Sequence, residues 1–515
     1  MALNWLAGRK IDHPMADLKK ARGMVDGLPR GDSVRALEDA ASWLVSINRE
    51  VGFKLDYRLE LLELIDRGLK AHWHAVAPEY LDAPRLQKLY EMRLWHAFFG
   101  YWRSLGDAYL FCLKAYQAGH APSGFEKELP RIVGRTLRSI TVQIKWRLLR
   151  YEAIEDRIWD DLGRTYLFAE SRGFARTQTA VYPGAHGQSS AQEEMLKALL
   201  LVVSSPDALT PIKLQIAERV VAYLARLGTI DAAQAPGRGF CFDLAMHVPP
   251  ARVTKNARAG HTVRYFGPGA GRKALIEIAQ FIGKQGRVPE DLNLGGMFDL
   301  KTVTNVVLHI GRYWSDAPPE RRAPRLQLAT RLTIVPGFNE AVAWIDAGSD
   351  SDSLEFVTPA QSESWVVVNA SDGGYGATIP TAKGDWVKVG AVIGVCAEGQ
   401  ATSRVGVLRR THRDKNGQRR VGIEVLSKIA VAVRFTLGEG DKPVVAAGNT
   451  NNAVLLSNKP DANGHIRLLL RSGSYLAGKS ARLAVRGKHY LLTPVSVAEE
   501  GDEFDLTTFK IVKSL

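Results

Sequence analysis

Arg321 and Arg325 carry two guanidinium groups four positions apart, in a segment that Pro318, Pro319 and Pro324 keep out of regular helix. A guanidinium is a planar fork of N–H donors. It can pair with phosphate oxygens or with O6 and N7 of guanine, where a lysine would supply only a point charge. Further on, Asn369 and Ser371 place an amide and a hydroxyl on one side of an extended backbone before Gly373 and Gly374 turn the chain. Cationic forks followed by small polar groups beside glycine are what a guanine-nucleotide site needs.

These residues need a rigid frame. Beyond Glu320 the apolar pattern has a period of two, in short β-branched or aromatic runs at Leu332–Val335, Val342–Ile345, Trp365–Val368, Trp386–Val389 and Val405–Leu408. Asn416-Gly417 is the strongest hairpin signal and leads into Val421–Val425. Six or so short antiparallel strands with glycine corners predict a small closed barrel.

The pattern resembles that of the PilZ family, bacterial receptors for cyclic di-GMP. That family carries R-x-x-x-R near the start of a small β-barrel and, after a variable spacer, [DN]-x-S-x-x-G. Arg321 and Arg325 match the first part, and Asn369, Ser371 and Gly374 match the second. The resemblance implies that both arginines contact the ligand, that Asn369 and Ser371 hydrogen-bond a guanine base, and that Gly374 adopts a backbone conformation closed to other residues. Arg322 stands beside the pair as a further phosphate contact. Asparagine in place of the commoner aspartate removes a charge-assisted bond to the guanine N–H groups. The expected ligand is cyclic di-GMP, with no other cofactor and no metal.

At 515 residues and 46% apolar composition, the chain is too long for one core. The expected class is multidomain α+β: an all-α region over 1–230, a mixed α/β region and linker over 231–316, the PilZ-like barrel over 317–432 and a further small β module over 433–515. In the last, Asn463-Gly464 and Arg486-Gly487-Lys488 are turn candidates, and Tyr490–Leu492 and Phe504–Leu506 strand candidates. No run approaches the ~18 apolar residues of a membrane span, and the N-terminus lacks signal-peptide character, so the expected location is cytoplasmic. Cys112, Cys241 and Cys396 have no paired spacing, which argues against a disulfide framework or a zinc knuckle. A formal charge of +14 favours anionic partners without choosing among nucleotide, nucleic acid and acidic protein.

In the N-terminal region, apolar residues at steps of three and four form one-sided stripes: Leu55 to Leu69, Leu86 to Leu105, Leu137 through Tyr151 to Leu162, and Ile212 to Leu227. W-x-x-L-G-x-x-Y occurs at Trp102–Tyr109 and again at Trp159–Tyr166. It resembles the first helix of a tetratricopeptide repeat, but the copies do not follow that repeat's spacing of ~34 residues, and a helical bundle is the plainer reading. His72 and His74 are two apart, so on a helix they point to different sides, a poor metal site. Gly267–Lys273 looks like a phosphate loop but is too short and has no Ser or Thr after the lysine; a turn feeding a helix at 271–283 is the ordinary reading, with a second helix at 300–313.

The function these features favour is that of a receptor whose arginine linker clamps onto the barrel when ligand binds and repositions the helical region to regulate a protein partner. The competing readings are a degenerate barrel serving as an adaptor without nucleotide, and a basic barrel holding single-stranded nucleic acid, with Trp344, Trp365 and Trp386 as its large rings. An enzyme is least supported, for there is no nucleophile elbow, ligand cluster or complete phosphate loop.

Overall fold

The computed structural model describes residues 11–83, 88–182, 187–254, 260–294, 296–317, 324–348, 359, 361–380, 386–400, 402–438, 451–457 and 459–514. The chain divides into two compact units. One comprises residues 1–150, 154–206 and 211–319; the other comprises 151–153, 207–210 and 320–515.

The first unit is helical. Its helices are α1 (Leu18–Asp26), α2 (Ser33–Arg49), α3 (Leu55–Gly68), α4 (Lys70–Asp82), α5 (Lys88–Gln117), α6 (Leu129–Leu149), α7 (Asp156–Ser171), α8 (Ala191–Val203), α9 (Pro211–Leu224), α10 (Gly271–Gln285) and α11 (Leu300–Tyr313). Their caps follow from the sequence. Asp17, Asp32, Ser190 and Asp299 each accept from a backbone N–H of the first turn, and Pro211 opens α9. The stripe expected to run unbroken from Leu137 to Leu162 is two helices, because Tyr151 takes φ +56 between them.

Aromatic rings dominate this core. Phe98 and Trp146 stack with centroids 3.8 Å apart, Trp95 and Phe99 stack at 4.5 Å, and the Trp95 indole donates to the Trp146 carbonyl at 2.9 Å. The two W-x-x-L-G-x-x-Y copies lie on α5 and α7, and their glycines serve different neighbours. A Cβ on Gly106 would meet Ser139 and Gln143 of α6 at 3.2 Å, whereas one on Gly163 would meet the Leu244 carbonyl oxygen at 2.2 Å. Helix meets helix at the first copy and helix meets loop at the second, which is not the geometry of a repeat.

Short strands complete this unit: β1 (Thr179–Ala180) pairs with β2 (Gln188–Ser189), and β3 (Thr229–Asp231), β4 (Phe240–Asp243), β5 (Ala251–Arg252) and β6 (Val263–Gly267) form a sheet in the order β3-β6-β4-β5. Gly267, the last residue of β6, and Gly269 beyond it are glycine for packing. A Cβ on Gly267 would lie 1.9 Å from the Gly237 carbonyl oxygen, and one on Gly269 would lie 2.4 Å from that of Leu227.

The second unit holds two closed antiparallel barrels, so the chain is multidomain α+β, as its periodicities predict. The first barrel comprises β7 (Arg331–Pro336), β8 (Glu363–Ser371), β9 (Gly374–Ile379), β10 (Val392–Ala397), β11 (Arg404–Arg413) and β12 (Arg419–Val425), ordered β10-β11-β12-β9-β8-β7. The second comprises β13 (Val431–Leu437), β14 (Asn451–Leu455), β15 (His465–Arg471), β16 (Ala481–Val485), β17 (Lys488–Glu500) and β18 (Phe504–Ser514), ordered β13-β14-β15-β18-β17-β16.

Two of the runs expected to be strands in the first barrel are not. Val342–Ile345 lies in a helix, α12 (Phe338–Ala347), where Phe338, Ala341, Val342 and Ile345 share a buried face. A four-residue apolar run fits either period, and tertiary packing decides it. Trp386–Val389 forms no strand; Val387 and Val389 are buried there before Gly390, at φ +87, turns the chain into β10. The strand places go instead to the glycine-containing β9 and β10. α12 contributes to an apolar layer that both barrels share: Phe338, Val342, Ile345, Val392, Val405 and Val407 pack with Val454, Leu456, Phe504 and Leu506.

Candidate functional site

The site starts from the β8–β9 hairpin. Trp365 and Val367 of β8 point into the barrel, and a bulge between Val367 and Asn369 shifts the register against β9. Val367 pairs with Ala377, whereas Asn369 pairs with Gly376 and Ser371 with Gly374. The extra residue turns Asn369 to the outer face, leaves Ala370 packed on the core and returns Ser371 to the outside. Amide and hydroxyl therefore share the outer face because of the bulge as well as their spacing.

The arginine segment meets the same hairpin. Arg321 and Arg322 lie outside the described residues. Arg325 is exposed and is followed by an antiparallel bridge in which the Leu326 N–H donates to the Ala370 carbonyl at 2.8 Å and the Ala370 N–H donates to the Leu326 carbonyl at 2.9 Å. That register sets Arg325 opposite Ser371 and Gln327 opposite Asn369. Opposed residues of an antiparallel pair stand on one side of the sheet, so the guanidinium, the hydroxyl and the amide share a face. Arg325 has no ion pair among the described residues.

Polar capacity remains open here. The Asn369 side-chain oxygen is screened from solvent and has no hydrogen-bond partner among the described residues. The Ser371 hydroxyl makes one long contact, donating to the Gly374 carbonyl at 3.4 Å. Buried acceptors are normally paired, so an unpaired one calls for an explanation.

Gly374 has a structural reason to be glycine. Its φ is +156, and a Cβ would lie 1.9 Å from the Ile423 carbonyl oxygen of β12. The hairpin is tied to β12 again where the Val425 N–H donates to the Gly373 carbonyl at 2.9 Å. One strand further on, Arg409 of β11 donates to Glu424 at 2.6 Å and to both oxygens of Glu499 in the second barrel. Burial opposes the Arg409 charge, but the carboxylates of Glu499 and Glu424 outweigh it and raise its pKa above the ordinary arginine value. The other arginines of this strand pair are partly engaged too: Arg420 is 3.4 Å from Asp414, and Arg410 is 4.0 Å from Asp207.

Trp365 and Trp386 are engaged with each other and with a carboxylate. Trp365 is fully buried and stacks on half-buried Trp386 with centroids 5.5 Å apart, and both indoles donate to Glu363, at 2.9 and 3.0 Å. Glu363 is the residue that sequence reasoning missed here. A carboxylate alternating with Trp365 on β8 looks like a surface residue until the barrel closes around it.

Elsewhere, His72 and His74 contact neighbouring side chains. His72 shares a 3.1 Å hydrogen bond with Ser33, and His74 stacks on Trp73 at 3.8 Å. Among the described residues no group of three histidine, cysteine, aspartate or glutamate side chains could hold a metal ion, and no helix is long and apolar enough to cross a membrane. The three cysteines are free, and burial pushes the Cys112 thiol up to about 12.

No curated protein matches the chain. A family does match its helical part, although both barrels lie outside the matched segment: residues 19–235 fit the family described as "Cyclic-di-GMP receptor FimW, N-terminal domain".

Proposed function

We propose that the chain is a receptor for cyclic di-GMP and that the outer face of the β8–β9 hairpin, with the arginine segment laid against it, is the ligand site. The observation that carries this reading is the two-way bridge between Leu326 and Ala370, which sets Arg325 across from Ser371 beside the unpaired oxygen of Asn369. The match of the helical region to a cyclic-di-GMP receptor family supports the same ligand from a different part of the chain.

In this reading the barrel is PilZ-like. Arg325 and the preceding Arg321 and Arg322 neutralise phosphate and read guanine edges, while Asn369 and Ser371 take up the hydrogen-bonding groups of one base. Gly374 acts indirectly, by letting β9 lie close to β12. Ligand binding adds the arginine side chains to the hold that the Leu326–Ala370 bridge already gives the segment on the barrel, and the stiffened linker passes that change to the helical region and its protein partner. The shift can be no larger than the ligand's differential affinity for the two arrangements. The protein works without chemistry on the ligand.

Isothermal titration calorimetry of the full chain with cyclic di-GMP tests this. Saturable binding is expected, weakened about tenfold or more in Asn369→Ala, in line with the ~1–3 kcal/mol of a good base contact. A wild-type chain that gives no binding heat and no thermal shift with the ligand overturns the proposal.

A further inference from the structure

The second barrel has its charges sorted along one strand pair. Residues 462–498 contain six lysines and arginines and no aspartate or glutamate, and residues 506–514 carry Lys510 and Lys513 and again no acid. The acids gather instead around the turn between β17 and β18, where Glu499 accepts from Arg409 and Glu503 pairs with Lys388 at 2.6 Å, both cations of the first barrel. From Glu499 back along β17 to Leu491, opposite Lys513, is roughly 25 Å at ~3.3 Å per residue. That far end is basic.

Strand register decides which side chains stand on its outer face. Phe509 and Ile511 of β18 pack in the core, so Lys510 between them points out, across from Thr493. Lys513 lies across from Leu491, which stands between Tyr490 and Leu492 of the core and so points out too. On the other side of Leu491 is Arg482 of β16, outward between the buried Ala481 and Leu483. The β16–β17 turn adds Arg486 and Lys488, both exposed. Arg486, Lys488, Lys510 and Lys513 have no ion pair among the described residues.

Two bulges bring apolar side chains to the same face. Pro494 pairs with Phe509 but Ser496 with Thr508, which makes Val495 an extra residue, and the step from Leu491–Lys513 to Leu492–Ile511 makes Val512 another. Each follows a residue turned to the core and therefore stands outside, exposed by 46% at Val495 and 57% at Val512. The aromatic rings of this barrel are committed elsewhere: Phe435, Phe504 and Phe509 are buried, and Tyr475 and Tyr490 pack on the core.

The mixture selects among anionic partners. Nucleic acid is held by cations together with rings on which bases stack, and a protein partner is held by aromatic anchors. Cations with aliphatic side chains among them suit a lipid surface, where apolar burial and attraction to anionic headgroups add. We propose that this end of the second barrel docks on an anionic lipid bilayer, with Arg486, Lys488, Lys510 and Lys513 against the phosphate headgroups and Val495 and Val512 entering the boundary with the acyl chains. The inference is independent of the cyclic di-GMP reading.

The test is co-sedimentation of the full chain with vesicles of phosphatidylcholine and phosphatidylglycerol in equal parts, beside vesicles of phosphatidylcholine alone. Binding to the mixed vesicles is expected, weakening as salt rises, with none to the neutral ones. Lys510→Gln/Lys513→Gln is expected to weaken it at least tenfold, at about fivefold for each cation removed near an anionic surface. Val495→Ser/Val512→Ser is expected to weaken it about threefold or more, and both variants should melt like wild type. Equal sedimentation with both kinds of vesicle, or with neither, overturns the proposal, as does full affinity in a lysine variant that melts like wild type. Should a variant unfold, the comparison of the two vesicle compositions with the wild-type chain still decides. Unchanged vesicle binding in the valine variant, together with tight binding of a single-stranded oligonucleotide, assigns the face to nucleic acid and overturns the proposal as well.

Discussion

The carbonyl oxygen of Ile423 occupies the place where a side chain on Gly374 would begin, 1.9 Å from the Cβ position. The glycine of the sequence pattern is therefore a packing residue of the barrel. Gly374→Ala is expected to cost about 1–3 kcal/mol of stability, as overpacking does, measured by urea unfolding in the absence of ligand. A variant as stable as wild type would mean that β9 can move away from β12 at no cost.

Arg325 contrasts with it, being exposed and without an ion pair among the described residues. Arg325→Ala is expected to leave stability within about 0.5 kcal/mol of wild type and to weaken cyclic di-GMP binding at least tenfold in calorimetry. Unchanged affinity would remove the arginine segment from the site.

Glu363 holds two indoles. Glu363→Ala leaves the Trp365 and Trp386 N–H groups without their acceptor, at a cost of about 1–3 kcal/mol for each buried group so orphaned. Denaturant unfolding should show a lower midpoint, and tryptophan emission should shift.

Glu194 gives the helical unit a defined acid response. It is fully buried and accepts from Arg138 at 2.6 and 2.7 Å and from Lys197 at 2.7 Å. Burial by itself would raise its pKa, but the Arg138 and Lys197 charges outweigh that and hold it well below the usual carboxylate range. With a depressed folded pKa, its stabilising contribution is complete above the unfolded value of about 4.3 and is lost as pH falls toward the folded value. Glu194→Ala takes the carboxylate away from two part-buried cations and is expected to cost about 1–3 kcal/mol at neutral pH. The gap between variant and wild type, followed by unfolding from pH 7 to pH 3, should narrow only below about pH 4.3.

Long periodic stretches were legible in the sequence. The helix at 300–313 has the bounds expected of it, and the hairpin at Asn416-Gly417 joins β11 to β12 with Gly417 at φ +74. Short stretches were legible only in part: Leu332–Val335, Trp365–Val368 and Val405–Leu408 lie in β7, β8 and β11, but Val342–Ile345 is one turn of α12, and the strand formed by Gly374–Ile379 was hidden by its glycines. Four residues are too few to separate a period of 2 from one of 3.6, so the neighbouring barrel settles the matter.

Local chemistry alone established that Asn369 and Ser371 share a side, that glycine ends the strand and that an arginine segment precedes a barrel, because side-chain period and turn preference are properties of a few adjacent residues. Only the folded chain decided that Ala370 bonds Leu326 and draws Arg325 to that side, that Gly374 yields its volume to Ile423, and that the Asn369 amide lies over Gly376. Those are relations between strands distant in sequence, set by barrel closure and by a bulge whose register no single strand encodes.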